Sequence, residues 1–248
     1  MNAPYGSSDG PKRRSPSWPP KTVLGMLSES SRDGLLSLGV FREYSTGSTI
    51  LMEGNPSRHV IALHGGWVKV VARTEQGGQA LLALRSRGEL IGEQSALEDE
   101  PRSASVISAS PVTAYVIQRD DFLRYLDSHS DVQIAVARAL SAKLRWATRR
   151  RTDFSGLATD AKVARVLSEL ARMNSRPTSV GIELGYGLTQ PELAAMVGVS
   201  EPSVQRALRK LRESGVLGTG YRKIVILDMA RLKTIAGPGW SGKPEAIK

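Results

Sequence analysis

The 248-residue sequence predicts an α+β chain: an N-terminal roll of short strands, then a long helix, then a C-terminal domain built on a helix-turn-helix with a β-hairpin wing. Three observations carry that expectation. Between Tyr44 and Ile117, short apolar runs alternate with Gly, Pro, Asn and Ser, as in all-β structure. From about Ser128 to Arg151, helical periodicity replaces the alternation. From Leu188 to Gly215 the chain reads LTQPELAAMVGVSEPSVQRALRKLRESG, two helix starts in close succession with a glycine turn between them.

In chain order, residues 1–20 are rich in Pro, Ser and Gly and poor in apolar side chains, so burial cannot offset the entropy of ordering them, and a disordered tail is expected. Residues 21–128 form the first folded unit. It opens with one or two short helices carrying Val23, Leu24, Met26, Leu27, Leu35, Leu36 and Leu38. Strands are expected at 49–52, 59–64, 67–72, 80–84, 104–107 and 112–117, with Gly65-Gly66 and Gly77-Gly78 as tight hairpin turns, and strands this short and regular suit a barrel-like roll or sandwich.

Within that unit the stretch GELIGEQSALEDEPRSA, from Gly88 to Ala104, suits a phosphate. Gly92 and Glu93 can open a short helix whose free N–H groups face an anion, Arg102 can clamp that anion through paired charge-assisted bonds, and Ser103 adds a hydroxyl. A carboxylate at Glu93 repels phosphate but accepts from a sugar hydroxyl, so acid and base together point to a sugar phosphate.

Residues 129–151 form the long helix, with Val132, Val136, Ala139, Leu140, Leu144 and Ala147 available to a partner helix or to the roll, which makes a coiled-coil homodimer the expectation. Arg149, Arg150 and Arg151 close it, where cations favour the negative end of the helix dipole, and Gly156 lies in the hinge that follows. Residues 152–236 form the second folded unit. Thr159 or Asp160 caps a helix carrying Val163, Val166, Leu167 and Leu170, and Val180, Ile182 and Leu184 alternate as a strand.

In the helix-turn-helix, Thr189 and Glu192 make a capping box around Gln190 and Pro191, and Gly198 permits the turn. Ser200 caps the second helix, whose Val204, Leu208 and Leu211 form a buried stripe. The opposite face carries Glu201, Ser203, Gln205, Arg206, Arg209 and Lys210, residue types that pair with base edges or phosphates in a major groove. Arg206 is the candidate for guanine, Gln205 for adenine and Glu201 for cytosine. Thr189 and Gln190, at the start of the first helix, complete the candidate DNA contacts. An ordinary helical hairpin with a solvated basic face is the plainer alternative. Val216-Leu217, then Gly218-Thr219-Gly220 as a turn, then 224–227 read as the wing, where Tyr221, Arg222 and Lys223 meet the phosphate backbone or simply solvent. Residues 237–248 form a second disordered tail.

Composition excludes several function classes. The chain has no cysteine, so disulfides, iron–sulfur clusters and thiolate zinc sites are ruled out. His59, His64 and His129 lack metal-ligand spacing, and none is placed for haem. No apolar run approaches a membrane span and the N-terminus lacks a signal-type apolar core, so a cytoplasmic protein that does not enter membranes is expected. From residue 138 onward, 20 Lys and Arg stand against 9 Asp and Glu; before it, 14 stand against 15. The net charge of +10 therefore lies in the C-terminal half that carries the helix-turn-helix, the footprint of a polyanion binder. An enzyme, such as a phosphodiesterase, wants metal ligands or a positioned base, and no His, Asp or Glu cluster supplies them. A ligand-binding interaction module that does not read DNA is a further alternative; the basic C-terminal half argues against it.

Over about residues 35–235 the chain resembles the cAMP receptor and fumarate-nitrate regulator (Crp/Fnr) family of bacterial transcription factors. The resemblance lies in Glu53-Gly54 and Gly65-Gly66 of the roll, the GELIGE cassette with PRSA, and the helix-turn-helix. It implies a jelly-roll-like β-roll that binds cAMP or another cyclic nucleotide, a long dimerisation helix, and a winged domain that binds double-stranded DNA, with RNA polymerase as a further partner. It also implies that Glu93 holds the ribose hydroxyl, that Arg102 and Ser103 hold the cyclic phosphate beside Gly92, and that Thr148, in Trp146-Ala147-Thr148, touches the base. Other members keep the fold without the nucleotide. Glu201-Pro202 departs from the family's usual basic residue followed by an acid, which implies a different DNA target.

Overall fold

Residues 18–74, 79–173, 175–185, 187–220 and 223–237 are described by the computed structural model. Expectations placed on 1–17, Gly77, Gly78, Tyr221, Arg222 and 238–248 lie outside them.

Two short helices, α1 (Val23–Met26) and α2 (Glu29–Ser37), precede a roll of eight strands: β1 (Val40–Tyr44), β2 (Thr49–Leu51), β3 (Val60–Gly65), β4 (Trp67–Arg73), β5 (Gln79–Ser86), β6 (Leu90–Ile91), β7 (Ser105–Ser108) and β8 (Val112–Ile117). Helix α3 (Glu93–Glu98) sits between β6 and β7. The strands form two antiparallel four-stranded sheets, ordered β1-β8-β3-β6 and β2-β7-β4-β5. Strand β3 shows why its run is apolar throughout. Successive side chains of a strand point to opposite faces, so Ile61 and Leu63 enter the core between the sheets with Val68, Val106 and Val112. Val60 and Ala62 face the other way, into a second core closed by α1, α2, α4 (Arg119–Ser128) and α5 (Ser130–Gly156). A strand covered on both faces needs no polar alternation.

The glycine pair Gly65-Gly66 is not a hairpin turn. Strand β3 is paired on both edges, by β8 and β6, and leaves no edge for β4, so the chain turns a corner into the other sheet with Gly66 at φ 75°. Helix α4 and strands β1 and β6 were not expected from the sequence.

The second unit comprises α6 (Thr159–Met173), β9 (Ser175–Thr178), β10 (Gly181–Leu184), α7 (Gln190–Val197), α8 (Glu201–Glu213), β11 (Leu217–Gly220), β12 (Lys223–Ile226) and α9 (Met229–Ile235), its strands ordered β11-β12-β10-β9. Three expectations are corrected here. Val180 lies before β10 and is exposed. Gly218-Thr219-Gly220 belongs to β11, with Gly220 opposite Lys223, so the wing turns later than expected. Thr159 and Asp160 are both inside α6 and neither caps it; the carbonyl of Ala158 accepts the first bond, from the Lys162 N–H.

Helix α5 continues to Gly156, which moves the link to α6 onto 157–158 and leaves Arg149, Arg150 and Arg151 short of its last turn. Val132, Val136, Ala139 and Leu140 pack against the roll, while Leu144 and Ala147 are exposed. The core of the second unit takes in Val163, Leu167 and Leu170 of α6, Leu193 and Val197 of α7, and Val204, Leu208 and Leu211 of α8. It is continuous with Trp67, Val71, Leu81 and Leu84 on β4 and β5.

Candidate ligand cassette and nucleic-acid interface

In the cassette, Gly92 is the N-cap of α3 at φ 77°, and a Cβ there would lie 2.4 Å from Arg102 Nη1. Only glycine lets the guanidinium come this close. Arg102 is 3% exposed and turned inward: Nη1 donates to the Gly92 carbonyl (2.9 Å), Nη2 to the His59 carbonyl (2.7 Å) and Nε to Ser57 Oγ (3.3 Å). Three of its five N–H groups are thus engaged with the protein. Burial pulls the Arg102 pKa below its ordinary value, with Glu93 opposing. Burial and the Arg102 charge together depress His59.

Glu93 is also buried, and its Oε1 accepts from Lys143 Nζ of α5 at 2.6 Å; the same ammonium donates to the Leu90 carbonyl at 3.0 Å. Ser103 is exposed. The acid, guanidinium and hydroxyl therefore stand together as the sequence suggested, and in kind they suit a sugar phosphate. Glu93 and Arg102 already hold protein partners, so such a ligand enters by exchange.

Lys143 was missed by sequence reasoning. The signal was present: it continues the roll-facing stripe of Val132, Val136, Ala139 and Leu140, and a lysine on a buried stripe needs a partner. One turn on, Trp146 Nε1 donates to Glu169 Oε2 of α6 at 2.6 Å, and the indole packs against the core of the second unit. Thr148 is not with the cassette side chains; it is exposed. It falls in a stripe with Ile134, Ala137, Ser141 and Leu144, all exposed, at the alternating three- and four-residue spacing of a coiled-coil seam.

At the helix-turn-helix, Thr189 Oγ1 accepts from the Glu192 N–H and Glu192 Oε2 accepts from the Thr189 N–H, so the capping box forms as expected. Gly198 ends α7 at φ 71°. Ser200 stands at the N-cap of α8 but its hydroxyl caps nothing. Pro202 has no N–H to offer, the Ser203 N–H bonds the Ser200 carbonyl, and the two serine hydroxyls bond each other at 2.9 Å.

Helix α8 buries Val204, Ala207, Leu208 and Leu211 and leaves Gln205, Arg206, Arg209 and Lys210 exposed. Gln205 Nε2 donates to Glu201 Oε1 (3.2 Å), Arg206 Nη2 to Ser203 Oγ (3.2 Å) and Lys210 Nζ to Asp160 Oδ2 (3.0 Å). Between this face, the start of α7 and the wing lies a cleft of about 690 Å³ bordered by Thr189, Gln190, Gln205, Arg209, Arg212 and Lys223. Lys223, expected to meet either phosphate or solvent, pairs with Glu183 of β10 at 3.2 Å, and the Arg176 hydrogen bond, aided by Lys223, holds that carboxyl below its usual range.

The other oxygen of Glu192 pairs with Lys69 on β4, so the carboxylate that caps α7 also ties it to the roll. Burial works to raise the Glu192 pKa, but the Lys69 hydrogen bond and the Thr189 contacts outweigh it and leave the value lowered. Among the described residues, no group of three or more His, Cys, Asp or Glu is placed to hold a metal ion, and no helix is long and apolar enough to cross a membrane.

Known proteins share this arrangement. Residues 41–129 match the cyclic nucleotide-binding domain and residues 161–235 the Crp-like helix-turn-helix domain. The chain is 31% identical to the cyclic AMP receptor protein of Thermus thermophilus, over 81% of this chain and 91% of that protein. It is 25% identical to the CRP-like cAMP-activated global transcriptional regulator of Mycobacterium tuberculosis, over 77% and 85%. The fold is that of FixK2 from Bradyrhizobium japonicum, at a TM-score of 0.71 and 18% identity over 80% of this chain and 98% of that one. With a β-roll, a long helix and a winged helix-turn-helix in this order, and a relative at this identity along nearly its whole length, the chain belongs to the Crp/Fnr family of transcriptional regulators.

Proposed function

We propose that the chain is a sequence-specific DNA-binding regulator that works as a cytoplasmic homodimer on a near-palindromic site, tuned by a cyclic nucleotide in the roll. The observation that carries the DNA reading is α8: a helix anchored by four buried apolar residues presents Gln205, Arg206, Arg209 and Lys210 to the outside. Two such helices, about 34 Å apart in a dimer, reach successive major grooves. Arg206 is the guanine reader, Gln205 the adenine reader and Glu201 the cytosine reader, each good pair contributing roughly 1–3 kcal/mol of discrimination. Ser203 and Ser200 serve these readers through the bonds described above, while Thr189 and Gln190 face the phosphates.

The dimer reading is supported by the exposed stripe from Ile134 to Thr148 on α5. The ligand reading is supported by the cassette of Gly92, Glu93, Arg102 and Ser103, and by relatives whose names specify cAMP. Thr148, on the seam, meets a base only across the dimer. RNA polymerase is the protein partner that regulation of transcription requires, and no catalytic role is assigned.

The test is fluorescence anisotropy at fixed near-physiological salt, on a palindromic site selected from a random pool, with and without saturating cAMP. Tight binding by the wild type and loss of about 1–3 kcal/mol in Arg206→Ala, largest at one base pair, supports the assignment. Equal affinity of Arg206→Ala for the selected site refutes it.

A further inference from the structure

We infer that Lys143 is a built-in competitor for the cassette acid, and that Trp146, one helical turn away, carries its displacement to the DNA-binding domain. The inference rests on the reading of the chain as a ligand-tuned DNA-binding regulator. Glu93 is 5% exposed, and the group on its Oε1 is an ammonium of the same chain, 50 residues on in sequence, which also grips the Leu90 carbonyl. A sugar hydroxyl that donates to Glu93 must share or take that carboxylate. As it does so, Lys143 loses a charged partner and α5 loses a tether to the roll.

Residues three apart on a helix lie on one face, so the turn that holds Lys143 also presents Trp146. The indole N–H binds Glu169, and Glu169 stands in α6, which packs against α8. A single turn of α5 thus grips one acid of the cassette and one acid of the DNA-binding domain. Ligand-free protein is held by Lys143–Glu93. Release of that pair frees the turn, and the Trp146–Glu169 bond makes α6 follow it. Lys143 and Trp146 are positioning residues, neither of them a base reader.

The test is a double-mutant cycle on the full-length protein. Lys143→Gln, Trp146→Phe and the double variant are measured for affinity to the selected DNA site at fixed salt, without nucleotide and with saturating cAMP or cGMP. In Lys143→Gln, nucleotide-free DNA affinity rises at least about fivefold, the lower end of ordinary coupling, and the further gain on adding nucleotide shrinks. Lys143→Arg, which keeps the charge, restores the wild-type response. Trp146→Phe, which keeps the ring but removes the N–H that binds Glu169, cancels most of the Lys143→Gln effect in the same chain, because the two act in series. Unchanged nucleotide-free affinity in Lys143→Gln, or strictly additive effects in the double variant, overturns the inference. Hydrogen exchange of residues 159–173 decides it apart from DNA binding: faster exchange in Lys143→Gln supports the lock and unchanged exchange refutes it, while a wild type that binds no selected DNA refutes the functional reading alone.

Discussion

Arg102→Ala is expected to unfold the protein's ligand cassette as well as change what it binds. The guanidinium is 3% exposed and satisfies the carbonyls of Gly92 and His59 and the hydroxyl of Ser57. Hydrogen bonds from a charged donor contribute about 1.5–3 kcal/mol each, and when the donor goes the half-buried His59 and Gly92 carbonyls both lose it, the Gly92 carbonyl keeping only its long bond from the Ala96 N–H (3.4 Å). The three bonds share one group and go to neutral acceptors, so they do not add, and a loss of about 3 kcal/mol is expected, the upper end for one charge-assisted bond. Arg102→Lys keeps the charge but loses the fork, so it reaches one or two of the three acceptors and loses about 1.5–3 kcal/mol. Urea unfolding of the nucleotide-free protein, followed by far-UV circular dichroism, measures both. If Arg102→Ala lies within about 0.5 kcal/mol of wild type, the reasoning fails, because a side chain that costs so little to remove is not bracing the loop. The measurement also guards the functional test: loss of a nucleotide response in Arg102→Ala reports on phosphate binding only after the stability loss has been subtracted.

Three other outcomes are expected. Thr189→Ala loses about 1 kcal/mol with the α7 cap, whereas Ser200→Ala, whose hydroxyl caps no N–H, loses only about 0.3 kcal/mol; equal losses by thermal unfolding would contradict the cap assignment. Lys69→Ala and Glu192→Gln show a coupling of about 1 kcal/mol in a double-mutant cycle of stability. The Glu192 pKa is depressed on folding, so the unfolded chain binds the proton more readily, and the contribution is present above the ordinary value of 4.5 and disappears as pH falls through the folded value. The advantage of wild type over Glu192→Gln should therefore shrink as pH falls below 4.5, and a constant gap would be inconsistent with the pairing. The proposed homodimer should dissociate in Leu144→Asp, a charge at a 68% exposed position of the seam, as read by sedimentation equilibrium; a persisting dimer places the seam elsewhere.

How much was legible in the sequence depended on how local each signal was. The capping box of Thr189 and Glu192 and the stripe of Val204, Leu208 and Leu211 are readable within a few residues, and both formed. The types at Glu93 and Arg102 were legible too, but their partners were not. Lys143 comes from an element 50 residues away, and the carbonyls of Gly92 and His59 have no side-chain signature at all. Strand β1 escaped notice because Val40, Phe41, Arg42 and Glu43 lie exposed at a sheet edge, where no alternation is imposed. Helix α4 escaped because Asp120, Asp121, Arg124 and Asp127 outweigh the stripe of Phe122 and Leu126. On α5 the periodicity was clear, yet two apolar faces overlap on one helix, and only the fold decides that Val132 and Val136 go to the roll while Leu144 stays outside.

Trp67, Val71, Leu81 and Leu84 lie in one apolar cluster with the residues of α6, α7 and α8. Roll and reader are therefore not beads on a string. A DNA-binding half cut away at 157–158 leaves an indole and three aliphatic side chains of the roll facing water, and α7 loses the lysine that shares its cap. Heating should melt the two halves in a single calorimetric transition. Exchanging the reader for that of a relative succeeds only where the incoming first helix carries a matching apolar face and an acid opposite Lys69, so the roll constrains which readers this chain can acquire.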